Sequence, residues 1–194
     1  MRPSYVPRSD LVSYAGRAAH DLGLAGMLGG QLFGRLALHP SVTAIGDEAQ
    51  RGAVVNAAWR RYGTVNSLAL LSVTGGWLGA RSTGEARDDL LTPRERTLAR
   101  VKDALVAATF VTGAASALQG VRFARMAPGG AVPLRDGDHV APRATEREAR
   151  AKRRLNLLGA ASIAVELGLV VVNAALEQAG HRRAPLRRWL RRGG

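Results

Sequence analysis

Three stretches of this chain carry almost no charge. Residues 62–80 hold none over nineteen positions, residues 104–121 none over eighteen, and residues 155–176 only Glu166 over twenty-two. About twenty mainly apolar residues match the thickness of a bilayer core, whereas soluble helices of this length keep a polar face. The chain average conceals this pattern: a mean hydropathy of −0.05 is low for a membrane protein, because the charges are crowded into the segments between the apolar stretches.

A fourth apolar stretch, Leu22 to Leu38, comes first in the chain and is shorter, with thirteen uncharged residues between Asp21 and Arg35. It reaches spanning length only if Arg35 extends its guanidinium to the membrane surface. Its glycines, Gly26, Gly30 and Gly34, recur every four residues and would form a bare stripe for close helix contact. Similar stripes follow at Ser72, Gly76 and Ala80, at Ala104, Ala108, Thr112, Ser116 and Gly120, and at Ala160, Ala164 and Gly168. In lipid, contact between small-residue faces is a main source of helix association.

The expected fold is therefore all-α: a four-span transmembrane helical bundle with small-residue contacts and helices extending beyond the bilayer. The spans fall at about 19–38, 62–80, 104–121 and 155–176, with an irregular loop at 126–144 and a basic tail at 181–194 in a single membrane domain. Three spans plus an interfacial helix, and a soluble Ala-rich bundle, are the competing architectures. The late start of the first apolar run, with Gln31 and Arg35 inside it, argues against a cleavable signal.

Helix starts are marked by capping boxes at Asp47 to Gln50, Thr92 to Glu95 and Thr145 to Glu148, with Pro93 at a first helical position. Each box precedes a few charged turns and then the uncharged stretch, which predicts three helices of about 34 residues, about 50 Å long. A first helix should start near Ser9 and stop before Pro40. Asp136-Gly137-Asp138 between Val132 and Val140 is a hairpin signal, compatible with a cap over one end of the bundle or with a mobile loop.

Trp59, Tyr62 and Trp77 lie at the two ends of the second stretch, spaced as aromatic membrane anchors, and Trp189 sits in the arginine-rich tail. The formal charge of +13, from 28 Lys and Arg against 15 acidic residues, suits anionic lipid headgroups. No nucleic-acid motif accompanies it, so no nucleic-acid partner is expected. The Ala, Arg and Gly content reads as a GC-rich bacterial genome, and the expected location is a bacterial cytoplasmic membrane. With both termini inside, cytoplasmic segments hold fifteen Lys and Arg against twelve outside, a small margin for orientation.

Candidate functional residues are few. Glu166 lies mid-span, where a carboxylate persists when paired, protonated or lining an aqueous path. Its expected partners are Gln31, Asn66, Thr112 or Ser116, or the guanidinium of Arg35. His20 and His39 bracket the first span and cannot share one ligand; His20 with His181, or His139 with Asp136 and Asp138, lack a metal-site spacing. No metal or cofactor is expected. The chain has no cysteine and no catalytic fingerprint, so enzyme activity has no support in the sequence. Two functions fit best: an accessory or scaffolding subunit that meets a membrane-protein partner or a second copy of itself, or a proton- or ion-coupled carrier using Glu166. A membrane redox protein using His20 is more distant.

Overall fold

The structure, a computed structural model, describes residues 8–82, 86 and 88–181, with side chains from 15 to 180 within that range. The tail bearing Trp189 lies outside the described residues. Among the described residues there is no strand, and four long helices make up the fold: α1 (Arg8–Phe33), α2 (Glu48–Ser82), α3 (Pro93–Ala124) and α4 (Glu146–His181). α2, α3 and α4 hold 35, 32 and 36 residues, as the capping boxes lead one to expect. α1 lies antiparallel along α2, and α3 along α4. The two hairpins join where α2 meets α3 and α1 meets α4.

The caps explain where the helices begin. The Thr92 hydroxyl accepts from the Glu95 N–H while the Glu95 carboxylate accepts from the Thr92 N–H, and Thr145 and Glu148 form the same reciprocal pair. At α2 the Asp47 carboxylate accepts the Gln50 N–H at 2.7 Å, one half of the third box.

Pro40 does not stop the first helix. After Phe33 the chain makes a π-helical turn, Gly34–Leu38, and a last α turn, His39–Ser41. The His39 N–H reaches back to the Gly34 carbonyl, five residues away. The hydrogen-bond register therefore changes just before Pro40, which has no N–H to offer. The inserted residue also turns His39 into the bundle, where it is 8% exposed.

The phase of the helix contacts differs from the sequence expectation. Buried and half-buried positions on α2 run Gly52, Val55, Trp59, Tyr62, Asn66, Ala69, Val73 and Gly76. On α3 they run Glu95, Ala99, Lys102, Val106, Thr109 and Gly113. Steps of three and four alternate, the heptad rhythm of knobs-into-holes packing. A strict four-residue step advances about 40° per contact and drifts off the seam, given 3.6 residues per turn. Ala164 accordingly faces outward and Ala108 and Thr112 lie at the edge, whereas α4 buries Ser162, Glu166 and Leu169. Gly168 receives the Leu105 side chain, and a Cβ there would sit 3.3 Å from it.

On α1 the seam runs His20, Gly23, Met27, Gly30 and Gly34. A Cβ on Gly23 would lie 2.7 Å from the Ala69 carbonyl oxygen, and one on Gly76 would lie 2.7 Å from that of Gly16. Side chains at Gly30 and Gly34 would overlap Tyr62 and Trp59, while Gly26 has room, with Ala69 Cβ at 3.9 Å. Gly23, absent from the four-residue stripe, thus shares with the Gly16–Gly76 contact the close backbone approach of α1 to α2.

The segment between α3 and α4 folds over the end of the bundle. Val132 and Leu134 are fully buried against Val42 and Val55. The Leu134 N–H donates to the Glu48 carbonyl and the Gly137 N–H to that of His39, each at 3.0 Å. An isolated bridge pairs Leu134 with Val140, and Asp136 closes the turn by accepting from the Asp138 and His139 N–H groups. The hairpin signal therefore marks a packed cap. Positive φ values at Gly129 and Gly130, 64° and 73°, let the chain leave α3 and turn into it.

α3 and α4 are long and apolar enough to cross a membrane, with best eighteen-residue windows of mean hydropathy 1.5 and 2.1. Only 17% and 22% of those windows are buried within the protein. Neither α1 nor α2 reaches that hydropathy. α2 carries Thr64, Asn66, Ser67, Ser72 and Thr74 in its uncharged stretch, α1 carries Gln31 and four glycines between Leu22 and Phe33, and the turn after it carries Gly34 and Arg35; absence of charge is not the same as apolarity.

Two glycines on α1 separate close approach from helix propensity. Gly23→Ala is expected to cost about 1–3 kcal/mol by forcing α1 from the Ala69 carbonyl. Gly29→Ala, with open space around it, is expected to be neutral or stabilising by up to about 1 kcal/mol. Thermal unfolding of the two variants in detergent checks the difference.

Candidate functional site

Polar side chains gather at three levels along the bundle. In the middle, Gln31 on α1 donates from Nε2 to Oε1 of Glu166 on α4 at 2.5 Å. Glu166 is 0% exposed, and its other oxygen, Oε2, has no hydrogen-bond partner among the described residues. Tyr62 on α2 lies beside Gly30 and donates its hydroxyl proton to the Gly26 carbonyl. Of the partners expected for Glu166, Gln31 is the one the fold supplies. Thr112 donates to the Ala108 carbonyl within its own helix, and Asn66 sits half-buried on the α2 seam.

Arg35 is not the counter-ion of Glu166. It lies in the π-helical turn and faces Asp138 of the loop, its Nη2 4.0 Å from Oδ1. It belongs to the second level, at the loop end, where His39 is the centre. His39 Nδ1 is 3.0 Å from Asp138 Oδ1, and the Trp59 indole N–H donates to His39 Nε2 at 3.1 Å. These partners assign a neutral imidazole: Nδ1–H donates to the carboxylate, and the Nε2 lone pair accepts from the indole. Burial holds His39 below the ordinary histidine range, Lys152 adds to the depression, and Asp138 opposes it. Lys152 is itself 6% exposed, and burial pushes its ammonium down to about 8, with Asp138 and Asp136 partly offsetting the effect. Asn156 completes the level by donating to the Asp138 carbonyl at 2.7 Å.

The third level lies at the opposite end. The Trp77 indole N–H donates to Asp103 at 2.7 Å, and the same carboxylate accepts from Arg81 Nε at 3.1 Å. Lys102 Nζ stands 4.2 Å from the Trp77 ring centroid, a buried cation–π contact of about 2 kcal/mol. Burial lowers the Lys102 ammonium to about 8, against the pull of Asp21 and Glu177. His20 Nδ1 meets the Val73 carbonyl at 2.8 Å, and its Nε2 is buried without a hydrogen-bond partner among the described residues.

The aromatic residues that sequence spacing assigns to the membrane surface therefore turn inward. Trp77 is 6% exposed with its N–H bonded inside the protein, and Trp59 and Tyr62 direct their polar atoms to His39 and Gly26. An indole on the seam satisfies its one donor within the bundle and no longer needs the interface. Sequence reasoning missed Lys102 and Lys152. Their signal was heptad phase: Lys102 falls three after Ala99 and four before Val106.

Among the described residues no group of three or more His, Asp or Glu side chains is placed to hold a metal ion. His20 and His39 occupy the two ends of the bundle, and His139 is exposed and held by Asp136 at 2.8 Å. The arrangement at the middle level places one carboxyl, with one donor and one free oxygen, inside an apolar shell.

Glu166→Gln keeps an acceptor for Gln31 and is expected to retain stability within about 1 kcal/mol; Glu166→Ala is expected to lose about 2–4 kcal/mol, with Gln31→Ala adding little to it. Unfolding in detergent measures both. Because His39 resists protonation in the fold, the unfolded chain takes up that proton first as pH falls below 6.5. The His39 contribution to stability should therefore fall between pH 7 and pH 5, so the melting temperature of the parent relative to His39→Gln should drop as pH is lowered through that range. Comparison with protein-family models, with curated proteins and with solved structures gave no match.

Proposed function

We propose that this is a small integral membrane protein in which all four helices cross the bilayer, acting as an accessory or scaffolding subunit. The observation that carries the reading is the distribution of apolar side chains. Leu22 and Phe33 on α1, Leu68 and Leu71 on α2, Phe110 and Val111 on α3, and Leu167 and Val171 on α4 all face outward. Inside lie His20, Lys102, Lys152 and Glu166. A water-soluble bundle distributes these classes the other way, and large exposed apolar surfaces mark membrane or protein contacts. The charge-free lengths of α2, α3 and α4 fit the bilayer core. The weaker apolarity of α1 and α2 is met in part within the protein: Gln31 bonds to Glu166, Asn66 sits half-buried on the seam, and the Ser67 hydroxyl donates to the Gly63 carbonyl of its own helix.

The scaffolding reading is supported by the inward use of the polar groups: Gln31 and Glu166, and Trp77, Arg81 and Asp103, connect one hairpin to the other. The outer faces are then left for lipid, for a second copy of the chain, or for a membrane-protein partner. The free Oε2 of Glu166 favours a second reading, a proton- or ion-coupled carrier. A bacterial cytoplasmic membrane is the proposed location, on the composition alone.

Alkaline carbonate should leave the protein in the membrane pellet, and release without detergent would contradict the membrane reading. In intact membranes, cross-linking should give one discrete assembly that survives mild detergent. A lone monomer under both conditions would contradict the scaffold. Glu166→Gln should leave that assembly unchanged; loss of solute flux in proteoliposomes on this substitution would favour the carrier instead.

A further inference from the structure

At the loop end, residues of α3 and α4 line an open groove of about 450 Å³ on the outer surface. Its walls are Ala115, Leu118, Leu157 and Leu158, and its mouth carries Arg122 and Arg154. Gln119 forms part of the wall, and its amide donates to the Ala151 carbonyl of α4 at 3.4 Å. Leu118 and Leu157 are 62% and 71% exposed, so the groove presents apolar surface that the protein leaves uncovered.

The two arginines stand at a defined depth. Arg122 follows directly on the charge-free stretch 104–121, and Arg154 directly precedes 155–176. In a spanning bundle both mark the boundary between hydrocarbon and headgroups. Three arginines at this end have carboxylate partners, Arg143 with Glu48 at 2.9 Å, Arg150 with Glu146 at 3.6 Å, and Arg135 with Asp136 at 3.3 Å. Among the described residues Arg122 and Arg154 have no acidic partner. Two guanidiniums above an apolar furrow complement a phosphate attached to an acyl chain, since the planar fork binds phosphate oxygens in pairs.

We propose that this groove binds one anionic phospholipid, with its phosphate between Arg122 and Arg154 and an acyl chain along Leu118, Leu157 and Leu158. The proposal rests on the membrane-spanning reading. Free phosphate would use the arginines and ignore the leucines; a phospholipid uses both.

The test is native mass spectrometry of the full chain in neutral detergent, titrated with phosphatidylglycerol, with phosphatidylcholine of the same acyl chains, and with inorganic phosphate. One phosphatidylglycerol should be retained in preference to phosphatidylcholine. Arg122→Gln with Arg154→Gln should weaken it about thirtyfold. Leu157→Trp, which fills the groove, should weaken it too, and Arg125→Gln, an exposed arginine outside the groove, should not. Equal binding by the double variant, equal retention of phosphatidylcholine, or displacement by inorganic phosphate at equal concentration would overturn the proposal. Release of the chain from membranes by carbonate would instead remove the reading beneath it, so the two failures are distinguishable.

Discussion

The hydrogen bond from Gln31 to Glu166 ties α1 to α4, one turn along each helix from Met27 and Leu169 of the main core cluster. A carboxyl buried there has to be given a donor by another helix, because its own backbone is fully used in helix formation. That requirement fixes more than one contact. It sets the rotation of α4, so that Ser162 and Leu169 also turn inward, and it sets the rotation of α1, so that Gly23, Gly30 and Gly34 face α2. The close approach of α1 to α2 and the capture of Glu166 are two consequences of one helix orientation.

The two ends hold the bundle differently from its middle. At the loop end the cap brings Asp138 to His39 and Arg35, and Asn156 of α4 to the same turn. At the other end Asp103 receives both Trp77 and Arg81. Each end buries a lysine beside an aromatic ring, Lys102 over Trp77 and Lys152 over Phe123 at 6.0 Å. Burial disfavours both ammonium groups, and nearby carboxylates restore part of what is lost. Charge is thereby kept at the ends of the seam, and the outer surface between them is left to apolar side chains.

Much of this was legible in the sequence. The starts of α3 and α4 follow from reciprocal side-chain caps and that of α2 from the Asp47 carboxylate alone, all local and in need of no tertiary information. Helix lengths followed from where the charges lie, and the Asp136 turn was readable because its side chain satisfies its own backbone. The contact phase was not legible: small residues recur at four-residue spacing in any Ala- and Gly-rich chain, and only the meeting of two helices selects the alternating steps of three and four. The same holds for Trp77, whose spacing from Trp59 marks length but not direction. The π-helical turn before Pro40 had no local signal, since it is stabilised by the seating of His39 against Trp59 and Asp138. Arg35 looked like a partner for Glu166 along an ideal helix, and the extra residue of that turn carries it to the loop instead.

Cysteine accessibility in native membranes measures most directly whether the outward apolar faces of all four helices meet lipid. The chain has no cysteine of its own, so single substitutions of Phe33, Leu71, Val111 and Leu167 each report one helix. All four side chains are exposed on the folded protein, at 65%, 63%, 63% and 48%, so the fold itself does not shield them. In membranes opened to give reagent access to both sides, a membrane-impermeant maleimide should label a cysteine at Arg135 in the loop and leave these four unlabelled until detergent is added. Labelling at the four helix positions as fast as at the loop, before detergent, would show water on those faces and contradict the spanning bundle.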